Sequence, residues 1–333
     1  MKLKPGPECS GLRLDRYLRK MLPGVPLSHI HRMLRKGEVR SGGKQLAGAD
    51  RMTAGMSITL RLPPSDAASE RREPQSAGTR EAGRRPAAGA PPTLRIPVLY
   101  EDADVIAFDK PTGVAAHPGS GHDLKDTVLG ALLERCGGGA GPFRPGLVGR
   151  LDRDASGVQL AGKSPAGLRG LEEASRSGGI RKKYVGLVLD PGLPARGRID
   201  WPLVDRSRGR ARMEVLKGSA ARAAREAGEA VAAVTEFHVL ARRQGTALVE
   251  LSLGTGRRHQ IRAHMAAMGA PLGGDARYGE GSWNFELRRQ LKLSRLFLHC
   301  AQADFTHPMT GRPVLVASAL PRELEEVLRA LGI

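Results

Sequence analysis

Apolar positions along the chain follow two spacings. Leu14, Tyr17, Leu18, Met21 and Leu22 recur at helical spacing, and Pro23-Gly24 stops that helix. A second short helix is expected to carry Ile30, Met33 and Leu34, capped by Ser28 and ended by Gly37. Ser41-Gly42-Gly43-Lys44 reads as a turn, and Met56, Ile58, Leu60 and Leu62 alternate as a strand. Beyond residue 94, strand-like runs dominate: VLY (98–100), VIAF (105–108), VQLA (158–161), YVGLVL (184–189), TEFHVL (235–240) and ALVELSL (247–253). A helix is expected from Arg258 to Met268, with Gly269 at its C-terminal end. Polar turns such as Glu101–Asp104 suit antiparallel pairing, and regular strand–helix alternation is missing. The expected fold class is therefore α+β, a mixed and mainly antiparallel sheet with flanking helices, not a doubly wound sheet.

Between the two patterns lies PPSDAASERREPQSAGTREAGRRPAAGAPPT, with no aromatic and no apolar residue larger than Ala. Such a segment cannot offset its ordering entropy and reads as a disordered, basic linker. The expected organisation is a small module at 1–62, a linker at 63–93 and a large domain at 94–333, with no internal repeat.

Composition adds a partner. The 333 residues carry 53 Lys+Arg against 34 Asp+Glu, a net charge of +19, which points to an anionic partner. Arg outnumbers Lys 41 to 12, an excess that codon bias in a GC-rich genome also produces, so motifs must supply the rest. In the small module, Arg13, Arg16, Arg32, Arg35 and Lys36 lie on or beside the two helices, where one face could track a phosphate backbone. The competing reading is a merely solvated basic face. Cys9, Cys136 and Cys300 are far apart and fit neither a disulfide framework nor a zinc pattern. No apolar run follows the first lysines and none is long enough for a membrane span, so a soluble, cytoplasmic protein with no membrane partner is expected.

Two chemical motifs fail on context. Gly157–Ser164, GVQLAGKS, fits the phosphate-cradle pattern G-x-x-x-x-G-K-[ST], and VGLVLD (185–190) resembles its magnesium-holding strand. A cradle should follow a strand and lead into a helix, whereas Val158–Ala161 themselves look like the strand. Pro165 also removes a backbone N–H where that helix should begin. His259 and His264 are five apart, share no helix face and have no carboxylate between them, so they read as ordinary helix histidines. Neither a nucleotide cofactor nor a metal is expected.

The segment LVGRLDRDASGVQLAGKS (147–164) resembles the second motif of the RluA-type pseudouridine synthases, His-Arg-Leu-Asp, two residues, then Thr-Ser-Gly before a strand. VLYEDADVIAFDKPTGVAAHPGSG (98–121) resembles their first motif. RKKYVGLV (181–188) resembles the strand carrying the family tyrosine. LGTGRRHQIRAHMAAMGAPLGGDARYG (253–279) and RLFLHCAQADFTHPMTG (295–311) resemble the third motif and the C-terminal signature. In the small module, RLDRYL (13–18), SHIHRMLRKGEVRSGGK (28–44) and the closing strand resemble the S4 RNA-binding domain. The combination is most similar to the branch acting on large-subunit ribosomal RNA. The pattern departs twice: Gly149 stands for the family His and Ala155 for the Thr.

The resemblance implies isomerisation of uridine to pseudouridine. The C1′–N1 bond breaks, the freed uracil turns and it rejoins through C5. No redox step, phosphate transfer or external atom enters, so no cofactor is implied. Asp152 would be the catalytic carboxylate, attacking C1′ or helping to remove the C2′ proton. Arg262 matches the arginine that pairs with it, and Tyr184 the tyrosine that stacks on the target base. Arg150 would contact the RNA vacated by the target nucleotide, with Arg257 also on the substrate. Leu251, Leu253 and Ile261 read as core, with Ile261 also placed to touch the base. Asp154 falls at a variable position, and Asp15, in another Arg-Leu-Asp, sits on a helix of the small module. A monomer is expected. The alternative is an RNA-binding or ribosome-assembly factor that has lost activity, which Gly149 and Ala155 motivate.

Overall fold

A computed structural model describes residues 2–3, 13–22, 27–53, 56–60, 94–119, 122–137, 143–205 and 212–333. The expectations at Cys9, Pro23-Gly24, Leu62 and the linker at 63–93, and the side chain of Ser28, lie outside the described residues. The chain divides into two compact units, Met1–Pro86 and Ala87–Ile333.

The first unit comprises β1 (Lys2–Leu3), α1 (Leu14–Met21), α2 (Leu27–Arg35), β2 (Val39–Ser41), β3 (Lys44–Gln45) and β4 (Ile58–Leu60). Its antiparallel sheet has the order β1-β4-β2-β3. Leu14, Tyr17 and Leu18 of α1 meet Ile30, Met33 and Leu34 of α2 over Val39, Ile58 and Leu60. Two expectations are corrected. Met21, on the last turn of α1, is 41% exposed. Helix α2 begins at Leu27, which puts Ser28 inside it and not at its cap. Beyond α2 the chain turns at Gly37, where the Glu38 N–H donates to the Met33 carbonyl at 3.0 Å.

The second unit opens with β5 (Val98–Glu101), β6 (Val105–Lys110), α3 (Val128–Arg135), β7 (Gly146–Val148), β8 (Ser156–Gly162) and α4 (Pro165–Ser177). Next come β9 (Ile180–Leu189), β10 (Arg196–Ile199), the hairpin β11 (Leu203–Asp205) and β12 (Met213–Val215), and α5 (Gly218–Glu226). It closes with β13 (Thr235–Arg243), β14 (Thr246–Leu253), α6 (Gln260–Ala267), α7 (Gly281–Leu291), β15 (Leu298–Thr306), β16 (Pro313–Ala317) and α8 (Arg322–Leu331). The main sheet runs β10-β13-β14-β9-β15-β8-β6-β5, with β16 on β15 and β7 on β8. Its pairings are antiparallel except for β15 with β8. At that parallel contact a Cβ on Gly157 would lie 2.2 Å from the Cys300 carbonyl oxygen, so only glycine fits.

Alternation along β9 sorts the layers. Tyr184 and Val188 face Leu251 and, from α6, Ile261 and Met265. Leu187 faces the other side, where Phe297 of the α7–β15 connection and Leu324 and Val327 of α8 cover it. The second unit is thus an α+β domain, as the periodicities imply. One argument against the phosphate cradle is corrected: a helix does follow Ser164, whose hydroxyl accepts the Gly167 N–H, with Pro165 at the first helical position. The rejection stands because residues 157–162 are strand β8, their backbone committed to β6.

Candidate active site

Three segments bring the implied catalytic side chains to one cleft of about 360 Å³: the β7–β8 loop, strand β9 and the start of α6. The loop supplies Arg150 and Asp152, the strand Tyr184, and the helix Ile261 and Arg262, with Arg257 just before it.

The loop has no ladder of its own and is pinned by side chains. Gln159, fully buried on β8, accepts the Leu151 N–H at 3.0 Å and donates to the Val148 and Leu160 carbonyls. Lys110, also fully buried, donates from Nζ to the carbonyls of Pro111, Val114 and Arg153 at 2.8, 2.9 and 3.0 Å. Thr112 Oγ1 donates to the Asp154 carbonyl at 2.8 Å. At the far end, Ser156 Oγ lies 2.9 Å from His299 Nδ1 and accepts from Arg295 at 2.7 Å.

The Asp152 side chain keeps 14% exposure at the cleft wall. Its Oδ2 accepts from Arg262 Nη1 at 3.1 Å. Arg262 is buried, and its other face is taken by Asp275, which accepts from Nε and Nη2 at 2.8 Å each. Asp275 also accepts the Arg277 and Tyr278 N–H groups, at 2.9 and 3.0 Å. Burial works to raise the Asp275 pKa, but the Arg262 guanidinium and these two amides outweigh it and hold it below the ordinary carboxylate range. The guanidinium is therefore shared, and Asp152 Oδ1 takes no hydrogen bond among the described residues.

Tyr184 sits between Leu251 of β14 and Cys300 of β15, buried but lining the cleft. Burial, then Cys300 and Asp152, push its phenol well above the ordinary value, so it stays neutral. Arg150 is exposed at the rim, while Ile261 is buried at the floor. The Arg257 side chain reaches the Ala232 carbonyl at 3.2 Å, and its backbone N–H is held by Gln260 Oε1. Leu251 is core, whereas Leu253 is half-buried and lines the cleft. Ala155 is buried in the main core, so the Thr-to-Ala departure is an apolar fit.

Neither decoy lines the cleft. Asp154 pairs with Arg153 at 2.8 Å. Asp15, in the first unit, pairs with Arg13 at 2.7 Å and accepts the Arg16 N–H. Arg13, Arg16, Arg32, Arg35 and Lys36 are all exposed on that unit. His264 is buried between Thr235 Oγ1 and the Trp201 carbonyl. His259 departs from its expectation, because it lies outside α6 in the left-handed region, with φ 51°. Among the described residues no group of three His, Cys, Asp or Glu could hold a metal ion, and no helix is long and apolar enough to cross a membrane.

Residue-level reading of the sequence missed Asp275, Gln159 and Lys110. Lys110 and Asp275 lie inside quoted motif blocks, yet nothing in their spacing marks them as partners of Arg153 and Arg262.

The RNA pseudouridylate synthase family model matches residues 104–267. The chain is 34% identical, over 97% of its length and 93% of the relative's, to ribosomal large subunit pseudouridine synthase C of Escherichia coli K12. It is 32% identical to the protein of that name from Vibrio vulnificus, over 97% of this chain and 94% of the other. Among solved structures, human RNA pseudouridylate synthase domain containing 4 is 25% identical with a TM-score of 0.56, covering 71% of this chain and 92% of that one.

Proposed function

Since the chain belongs to the RNA pseudouridylate synthase family, we propose that it isomerises specific uridines of large-subunit ribosomal RNA, with Asp152 as the catalytic carboxylate. The observation that carries the assignment is the shared guanidinium: Arg262 gives one bond to Asp152 and two to Asp275, which leaves Asp152 Oδ1 open to the cleft. An open carboxylate oxygen is what attack at C1′ or removal of the C2′ proton requires.

Tyr184 presents a neutral ring for the target base to stack on. Ile261 packs from the floor, and Arg150 at the rim contacts the RNA that the flipped nucleotide leaves, a movement costing a few kcal/mol. Arg257 binds phosphate or ribose beside the target. The first unit is read as an S4-like RNA-binding module whose Arg13, Arg16, Arg32, Arg35 and Lys36 track the backbone, with Arg13 contributing least because Asp15 already meets its charge. The working form is a cytoplasmic monomer.

The test is substitution with mapping. Asp152→Asn should abolish pseudouridine formation on ribosomal RNA with affinity unchanged within a few-fold, whereas Asp154→Asn and Asp15→Asn stay active. Activity in Asp152→Asn with loss in Asp154→Asn overturns the assignment.

A further inference from the structure

His259 is held against the preference of its own backbone. Its φ of 51° and ψ of 20° lie in the left-handed region, immediately before α6. A non-glycine residue is sterically disfavoured there. Such strain persists where the surroundings fix it, and it gathers at functional sites. A glycine would adopt this turn freely, so the ring, not the backbone, accounts for a histidine here.

The ring lines the same cleft as Asp152 and Tyr184. Its Nδ1 lies 3.2 Å from the Tyr278 hydroxyl, and the two rings meet edge to face at 5.7 Å. That hydroxyl accepts the Met213 N–H at 2.7 Å, which leaves its own proton available to Nδ1. In the tautomer in which the hydroxyl donates to Nδ1, the imidazole proton sits on Nε2. Burial, together with Arg262, Arg258 and Arg277 and against the pull of Asp152, lowers the His259 pKa to about 4. The ring is therefore neutral at pH 7, and Nε2 has no hydrogen-bond partner among the described residues. A cationic ring would compete with Arg262 for the Asp152 carboxylate. A neutral one leaves Asp152 to the substrate and still offers a donor.

The reaction supplies an acceptor. Whichever role Asp152 takes, the C1′–N1 bond breaks with both electrons going to the base, and the negative charge spreads over N1, O2 and O4 of the uracil. A fixed N–H aimed at one of those oxygens binds the departing anion more strongly than the neutral base, and so lowers the barrier. We propose that His259 is a catalytic residue of this site, its Nε2–H donating a hydrogen bond to a uracil carbonyl oxygen, O2 or O4, as the glycosidic bond breaks. The imidazole keeps its proton throughout, so no proton changes hands at His259. The role rests on the pseudouridine synthase reading of the cleft.

The experiment measures single-turnover pseudouridine formation on a ribosomal RNA fragment containing the mapped target. His259→Phe keeps a ring without a donor and should lose about a hundredfold or more in rate, with RNA affinity unchanged within twofold. His259→Gly relieves the backbone, folds, and should lose a similar factor, while His259→Gln retains a donor and should recover at least tenfold over Phe. The target is then replaced by 2-thiouridine or 4-thiouridine, whose sulfur is the weaker acceptor. For one of the two, the gap between wild type and His259→Phe should shrink at least tenfold, which a merely structural histidine would not produce. A Phe variant within threefold of wild type, or a gap unchanged with both thio-substrates, overturns the role. Absence of pseudouridine with the wild-type protein overturns the reading of the cleft, and the donor role with it.

Discussion

Placing a histidine at position 149 tests whether the glycine there marks a decayed site. The family pattern has histidine before Arg-Leu-Asp, and here Gly149 takes a φ of +66°. A Cβ at that position would meet only Lys182 Nζ, at 3.8 Å, an ordinary contact. A Cβ is therefore accommodated, and the demand that Gly149→His and Gly149→Ala share is backbone strain. Holding an L-residue in the left-handed region costs about 1–2 kcal/mol, which for a domain of this size lowers Tm by roughly 2–8 °C. If the loop relaxes instead, Asp152, three residues on, shifts within the cleft. Spending the same 1–2 kcal/mol on the barrier slows the reaction by roughly five- to thirtyfold. Gly149→Ala imposes the same backbone demand without the ring and separates the two contributions. Release of tritium from 5-tritiated uridine in ribosomal RNA, under single-turnover conditions, reads the rate directly. The expected result is similar, modest losses for Ala and His. A hundredfold gain in Gly149→His alone would mean that the wild-type site is impaired, and the competent-enzyme reading would fall.

Asp275→Asn removes the more buried of the two carboxylates that meet Arg262 while keeping the shape, and breaking a buried pair costs about 3–5 kcal/mol, the low end applying because Asp152 remains. The expected outcome is a fall in Tm of at least 6 °C by calorimetry and a tenfold or greater loss in rate, and an unchanged Tm refutes the shared-guanidinium account. Burial leads the lowering of pKa at His259, His264 and His299, so the unfolded chain binds more protons than the folded one as pH falls below about 6.5. Their contribution to stability is complete above that pH and declines toward pH 4, so the urea midpoint should drop between pH 7 and 5, less steeply in His259→Asn. Deleting residues 1–62 should weaken binding to long RNA and flatten its salt dependence, while 94–333 retain chemistry at high RNA concentration. An unchanged salt slope makes the module a bystander.

The parts of the fold that could be read from sequence were those whose period survives without tertiary help. Strands β6 and β14 show dense apolar runs, and α1 and α2 show helical spacing with a legible stop at Gly37. Helix α4 was hidden by Pro165, which sits harmlessly at its first position, and β15 was absorbed into a motif block. Helix α8 has helical spacing in Leu324, Val327 and Leu331, all buried. The expected helix from Arg258 ran through His259, because nothing local warns that a histidine will be left-handed. Asp152, Tyr184 and Arg262 reached one cleft through resemblance, since no spacing pairs residue 152 with 262. Asp275 had no signal at all, being a lone acid in a glycine-rich loop whose partner is fixed only by folding.

If Asp152 is the catalytic carboxylate proposed above, an arginine beside it poses a conflict: a bidentate pair would orient it and also consume both its oxygens. This fold resolves the conflict with a second acid. Asp275, fixed by two backbone amides, takes the Nε–Nη2 edge of Arg262 and leaves Nη1 alone to reach Asp152. Orientation must then come from the loop itself, and Lys110, Thr112, Gln159 and Ser156 supply it from β6, the turn after β6, and β8. These anchors lie in the first and second motif blocks, and the Ser156 partners Arg295 and His299 lie in the C-terminal one. The separated blocks are therefore one structural device, each holding a different side of the seven-residue loop between β7 and β8. A loop so anchored tolerates Gly149, because its geometry is set by buried donors and acceptors and not by the side chain at its mouth.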